Sequence, residues 1–164
     1  MSNTQVAIFM GSKSDLPLMQ EAAEMLRHFN ISYDMTITSA HRSPNRTETL
    51  VRAFELNGGE VFIAGAGSAA HLAGVIAART VLPVIGVPID SSPLQGWDAL
   101  LATIQMPGGI PVATMAVGKA GAKNAGVFAA QIIARKDQQL LKRLIAYKEE
   151  MEKKVIADAE QMSP

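Results

Sequence analysis

The chain has 164 residues with 15 basic and 15 acidic side chains, so its formal net charge is zero. That balance removes any general attraction for nucleic acid or an acidic membrane while leaving room for a local anion site. The absence of cysteine excludes disulfides, thiolate metal sites and cysteine nucleophiles. The length suits one domain with a real core, and the start of the sequence has no basic, apolar, cleavable stretch, so the expected location is the cytoplasm.

Val6 to Met10 is a short apolar run closed by Gly11, after which Leu18, Met19, Ala22, Met25, Leu26 and Phe29 recur at helical spacing on one face. His28, beside Arg27 at the end of that helix, reads as solvated. Ile31 to Thr38 alternates between apolar and polar residues, the period of a half-buried strand suited to a sheet edge. Ser43-Pro44 reads as a helix start, with serine capping free amides and proline already at the helical φ, and Asn57-Gly58-Gly59 ends that helix. Val61 to Ala64 and Leu82 to Val87 are unbroken β-rich runs, as expected of central parallel strands covered on both faces, with a helix between them starting near Ser68.

From Val61 to Ala78 the residues are nearly all apolar or small, approaching the length of a membrane span. Gly65, Gly67 and Gly74, together with a serine and a histidine, divide the stretch instead into strand, turn and buried helix. Ile110 to Val117 is a fifth strand candidate, and Ala122 to Ala134 is an alanine-rich helix able to pack closely on a sheet. The final segment, about 137–161, places Leu140, Leu141, Leu144, Ile145, Met151, Val155 and Ile156 on one helical stripe. This docking helix either folds onto its own domain or packs on a neighbouring subunit; the second is expected, because the core of about residues 5–135 already looks covered. The expected fold is a single α/β domain over 1–164: a three-layer, doubly wound, five-stranded parallel sheet, flavodoxin-like, with an extra C-terminal helix.

Ligands of open parallel sheets bind beyond the carboxyl ends of the strands. The loops expected there are Gly11-Ser12-Lys13-Ser14-Asp15, Ser39-Ala40-His41-Arg42-Ser43-Pro44, Gly65 through His71, and Asp90-Ser91-Ser92. Two of the three histidines, serine-rich turns, one arginine and two aspartates, Asp15 and Asp90, so gather on one edge. Ser12, Ser14, Ser39, Gly67 and Ser68 offer hydroxyls and close backbone approach, and Arg42 can grip phosphate oxygens, so a small phosphorylated ligand is expected. Ser14 or Asp15 can instead merely cap the first helix, and Asp15 can equally hold ribose hydroxyls. His41, between a strand end and a helix start, favours chemistry; His71 is either a ligand contact or a buried histidine bonded to backbone. No dinucleotide fingerprint or ATP phosphate loop is present.

Four ordered motifs, Met-Gly-Ser-Lys-Ser-Asp (10–15), Ser-Ala-His-Arg-Ser-Pro (39–44), Gly-Ala-Gly-Ser-Ala-Ala-His-Leu (65–72) and Gln-Met-Pro-Gly-Gly-Ile-Pro-Val-Ala-Thr (105–114), closely resemble the bacterial N5-carboxyaminoimidazole ribonucleotide mutases over roughly residues 5–135. The resemblance implies cofactor-free and metal-free carboxylate transfer within a nucleotide precursor of purines. It also implies a homo-octamer with sites between subunits, and a separate ATP-dependent synthetase supplying the substrate. In that family the residue matching His41 carries the proton, and those matching Ser12, Asp15 and Arg42 bind the nucleotide. The resemblance is imperfect: the family usually has glycine at Ser68 and proline at Ala73. The related direct carboxylase of aminoimidazole ribonucleotide typically has lysine after the motif histidine, so Arg42 favours the mutase. A flavin-binding carrier is the rival of another class, but the first loop lacks the threonine- and glycine-rich phosphate grip of flavodoxins.

Overall fold

A computed structural model describes residues 4–162. Five parallel strands, β1 (Val6–Met10), β2 (Tyr33–Ile37), β3 (Val61–Gly67), β4 (Val84–Ile89) and β5 (Ala113–Thr114), form one sheet in the order β2-β1-β3-β4-β5. The connecting helices are α1 (Leu16–His28), α2 (Pro44–Leu56), α3 (Leu72–Ala77), α4 (Trp97–Ile104) and α5 (Lys119–Ile133), with α6 (Gln138–Gln161) after them. This is the flavodoxin-like strand order expected for right-handed crossovers from a starting strand that ends inside the sheet.

The period of the strands divides the core in two. Val6, Ile8 and Met10 of β1 face a layer built by α1 and α5, whereas Ala7 and Phe9 face α2 and α3. Strands β1, β3 and β4 are buried along nearly their whole length, which explains their unbroken apolar sequences. Strand β2 lies at the edge, and its alternating pattern matches that place.

Several boundaries differ from the sequence expectation for identifiable reasons. β3 runs on to Gly67, because Gly65, Ala66 and Gly67 still pair with Val87, Pro88 and Ile89 of β4. β4 is displaced two residues toward the C-terminus from its expected span. The helix expected near Ser68 begins only at Leu72, since Ser68 has φ 53° and cannot enter a right-handed helix. β5 shrinks to two residues: Pro111 and Pro88 have no amide to donate, although Met115 N still reaches Gly86 O at 2.8 Å. Helix α4 has no counterpart in the sequence reading, because only Ala99 and Thr103 turn inward while Trp97, Leu101 and Ile104 are exposed, so no apolar stripe marks it. Ser43 makes no side-chain cap; its Oγ instead accepts from Ser39 N at 2.9 Å.

Helix α6 is capped by Asp137, whose Oδ1 accepts from the amides of Gln139 and Leu140 at 2.9 and 3.0 Å. Its first turns dock on its own chain: Leu140 and Leu144 are buried, and the Tyr147 ring meets Phe29 and His28 edge-on, each at 5.4 Å. His28 is therefore exposed but packed against aromatic rings rather than simply solvated. The expected single stripe splits in two, because Leu141, Ile145, Met151, Val155 and Ile156 face outward. None of the described helices is long and apolar enough to cross a membrane.

Helices α1 and α5 approach closely at Gly126, where an added Cβ would lie 2.7 Å from Ala22 O and 2.8 Å from Met25 Cβ. Because backbone cannot yield as a side-chain tip can, Gly126→Val is expected to lower the unfolding free energy by about 1–3 kcal/mol in urea titrations.

Candidate active site

Strands β1 and β3 are neighbours, yet the chain leaves β1 toward β2 and β3 toward β4. Their following loops must diverge, which opens a crevice at the carboxyl edge of the sheet. A cavity of about 330 Å³ fills it, lined by Gly11, Ser12, Ser14 and Asp15 after β1, Ser39 to Arg42 after β2, Ala66 to Ala69 at the end of β3, Leu72 of α3, and Ser91 after β4.

The first loop is shaped by a reciprocal cap. Ser12 is extended at φ −151°, its Oγ accepts from Ser14 N at 3.4 Å, and Asp15 Oδ2 accepts from Ser12 N at 3.0 Å around the single 3-10 turn Lys13–Asp15. The single Ser14 hydroxyl hydrogen is shared between Ser12 Oγ at 2.9 Å and Asp15 Oδ1 at 3.3 Å. The capping reading of Ser14 and Asp15 is thus corrected in its target: Asp15 makes no cap hydrogen bond to α1, and its carboxylate holds the loop. Asp15 is buried, and that burial pushes its carboxyl above its ordinary value of 3.8 against the opposing pull of the Ser14 hydroxyl, the Ser12 amide and the Arg42 guanidinium.

The second loop is fastened from beneath. Thr38 and Thr47 are buried and share a hydroxyl–hydroxyl hydrogen bond of 2.7 Å, while Ser43 Oγ donates to Ser39 O at 3.3 Å and Arg42 N donates to Ser39 Oγ at 3.2 Å. Arg42 then reaches across the crevice, donating from Nη2 to Gly11 O at 2.8 Å, which joins the first two loops. His41 is left exposed at the rim.

The third loop supplies close approach. A Cβ at Gly67 would collide with the Ser91 hydroxyl. Ser68 adopts the left-handed conformation that a side chain disfavours by roughly 1–2 kcal/mol. His71 stands at the entrance to α3 and is exposed, which overturns the alternative of a buried, backbone-bonded ring. Its Nδ1 lies 2.8 Å from Nε2 of His41.

The structure therefore brings Ser12, Ser14, Asp15, Ser39, His41, Arg42, Gly67 and Ser68 to one cavity wall, and joins His71 to them through His41. The sequence places Ser91 in a loop at this edge but gives it no role, and it gives no sign of the packing of Ser91 on Gly67 or of the buried Thr38–Thr47 pair under the His41 loop. Nothing in their spacing marks them, because Gly67 and Ser91 meet across the ends of β3 and β4, and Thr38 at the end of β2 meets Thr47 of α2. Among the described residues, no group of three or more histidine or acidic side chains is placed to hold a metal ion.

A sequence model of the family described as AIR carboxylase matches residues 5–154. The chain belongs to the AIR carboxylase family. It is 49% identical over 158 residues to the N5-carboxyaminoimidazole ribonucleotide mutase of Thermotoga maritima, covering 96% of this chain and 91% of the relative. The mutase of Haemophilus influenzae is 52% identical over 150 residues, 91% of this chain and 92% of that one. Among solved structures, PurE of Treponema denticola superposes with a TM-score of 0.89 at 28% identity over 98% of this chain and 99% of its own. The AIR carboxylase fold of this chain is thus matched along nearly its full length, α6 included.

Because the Asp15 carboxyl binds its proton more tightly in the folded state, its contribution favours folding most at low pH. That contribution declines as pH rises through the raised native value, leaving the buried charge as a cost at neutrality. Asp15→Asn is therefore expected to remove this pH dependence and to melt at pH 7 no lower than the parent, while weakening ligand binding. Thermal melts from pH 3.8 upward check the first part, and the KM for the ligand proposed below checks the second.

Proposed function

We propose that this member of the AIR carboxylase family is an N5-carboxyaminoimidazole ribonucleotide mutase of purine synthesis, with His41 as proton carrier. The observation that carries the reading is the placement of His41 at the rim of the cavity onto which Ser12, Asp15 and Arg42 converge. The naming of relatives about half identical over nearly the whole chain supports it. In this reading Arg42 and the serines take the phosphate, Asp15 the ribose hydroxyls, and the aminoimidazole faces His41.

The chemistry follows from the substrate. Its exocyclic nitrogen carries a carbamate. A proton from His41 reaches that nitrogen, the carbon–nitrogen bond to the carboxylate breaks, and carbon dioxide leaves while the ring carbon becomes nucleophilic. The ring carbon attacks the trapped carbon dioxide, a carbon–carbon bond forms, and His41 takes the hydrogen from that carbon so that aromaticity returns. One imidazole thus gives and regains one proton, a pair of roles suited to a side chain that titrates near neutral pH. Ala66, Gly67, Ala69 and Leu72 supply a mainly apolar stretch of the cavity wall with little to hydrate the gas.

Purified protein with N5-carboxyaminoimidazole ribonucleotide, without ATP or metal, is expected to form the carbon-carboxylated isomer. Product arising only from aminoimidazole ribonucleotide plus added carbon dioxide would make it the direct carboxylase. His41→Asn is expected to cut turnover by about 10²–10⁴ and spare binding, as loss of an acid–base group does; near-normal turnover would remove His41 from the mechanism.

The same reading makes residues 1–164 one domain in a cytoplasmic homo-octamer with sites between subunits, its substrate supplied by an ATP-dependent synthetase. The outward residues Leu141, Ile145, Val155 and Ile156 of α6, and Trp97, Leu101 and Ile104 of α4, support self-association, since monomers seldom leave such surfaces bare. Ile145→Glu with Val155→Glu is expected to reduce the sedimenting mass and turnover together; an unchanged mass would take α6 out of the interface.

A further inference from the structure

We infer that His71 is a positioning residue: it holds the Nε2–H of His41 toward itself, so that Nδ1 of His41 is the atom that meets the substrate. The consequence for turnover rests on the mutase reading, whereas the pairing of the two rings does not.

The pairing is geometrically narrow. His41 Nε2 and His71 Nδ1 are 2.8 Å apart, and the ring planes cross at 80° with centroids 4.9 Å apart, so the rings meet through these two nitrogens rather than by stacking. Both backbones are fastened. The His41 loop is tied down by Ser39, Ser43 and the Thr38–Thr47 pair. The His71 amide donates to Ala69 O at 2.8 Å, and its carbonyl accepts from Val75 N at 2.9 Å at the start of α3. The freedom left is rotation of each side chain, and the shared bond removes it.

One hydrogen occupies that bond. A neutral imidazole has one N–H and one bare nitrogen, and protonation puts a hydrogen on both. When His41 carries its transferable proton it has hydrogens on Nδ1 and Nε2, so its Nε2–H must donate and His71 Nδ1 must accept. His71 is then the neutral ring with its hydrogen on Nε2. When His41 gives the Nδ1 proton to the exocyclic nitrogen, its Nε2–H stays on His71, and bare Nδ1 is ready to take the hydrogen released by the ring carbon. The hydrogens balance over both half-reactions, and His71 neither gains nor loses one. It does for His41 what an orienting acceptor does for the histidine of a catalytic triad, fixing tautomer and direction and stabilising the imidazolium. The acceptor here is neutral and the site open, so its effect should be that of an ordinary hydrogen bond rather than of a buried carboxylate.

The position of the acceptor suggests the discriminating variants. Asparagine places its Oδ1 where histidine has Nδ1, glutamine reaches instead toward the place of Nε2, and alanine offers no acceptor. His71→Ala is expected to lower kcat about 10-fold with KM within about 3-fold, and His71→Asn to recover most of that loss while His71→Gln does not. A loss confined to KM would make His71 a plain substrate contact and overturn the inference. So would an unchanged kcat in His71→Ala, or rescue by glutamine equal to that by asparagine.

A second readout needs no substrate. With three histidines in the chain, the imidazole ¹⁵N signals of His41 can be assigned by comparison with the His28→Gln and His41→Asn proteins. The parent is expected to show neutral His41 with its hydrogen on Nε2, and His71→Ala a mixture of tautomers. A parent His41 with its hydrogen on Nδ1 would overturn the inference whatever the activity. The expected tautomer in a protein inactive on N5-carboxyaminoimidazole ribonucleotide would retain the pairing and reject the mutase reading alone.

Discussion

The direct pairing of β1 with β3, Val6 opposite Val61 through Met10 opposite Gly65, is the constraint on which the rest of the molecule depends. Right-handed crossovers carry the chain outward from these two strands in opposite directions, so no helix can close the gap above their carboxyl ends. Every polar group assigned to the site comes from a loop that this divergence leaves open. The tight fit below the crevice follows from the same pairing: Gly65, opposite Met10, has no Cβ because the Met19 side chain of α1 occupies that space.

The loops spend their hydrogen bonds on one another before any ligand arrives. Ser12 and Asp15 cap each other, Ser39 and Ser43 bind in both directions, and Arg42 bridges to Gly11 O. Such internal satisfaction keeps the exposed loops in one shape, which reduces the ordering cost of binding a ligand there. It also sets local costs, visible in the buried Asp15 carboxyl and in the left-handed Ser68. Both lie on the cavity wall, where strain is tolerated in return for function.

Away from the cavity the molecule is unevenly finished. One side of α6 is anchored by Leu140, Leu144 and the Tyr147–Phe29 contact, while its other side and the outer side of α4 remain apolar and open. Membership of the AIR carboxylase family covers this region through residue 154, and the superposition with the Treponema denticola structure extends over α6 as well. Helix α6 therefore belongs to the matched fold rather than to an appended tail.

The amino-acid sequence by itself determined the layer architecture and which loops gather at one edge of the sheet. Short unbroken β-rich apolar runs suit covered parallel strands, and alternation of strand with helix places their following loops on one edge, so the loops holding Ser12, Asp15, His41 and Arg42 could be placed together from the order of elements. Local readings failed where tertiary contact overrode them: at Ser68, whose left-handed turn delays α3; at Ser43, whose hydroxyl turns back to the Ser39 loop; and at α4, whose outward residues hide its period. Only the tertiary structure decided that His71 meets His41, that Ser91 packs on Gly67 and that Asp15 is buried. Those facts depend on distances between loops far apart in sequence, and side-chain periodicity carries information along one element but none about the separation between two.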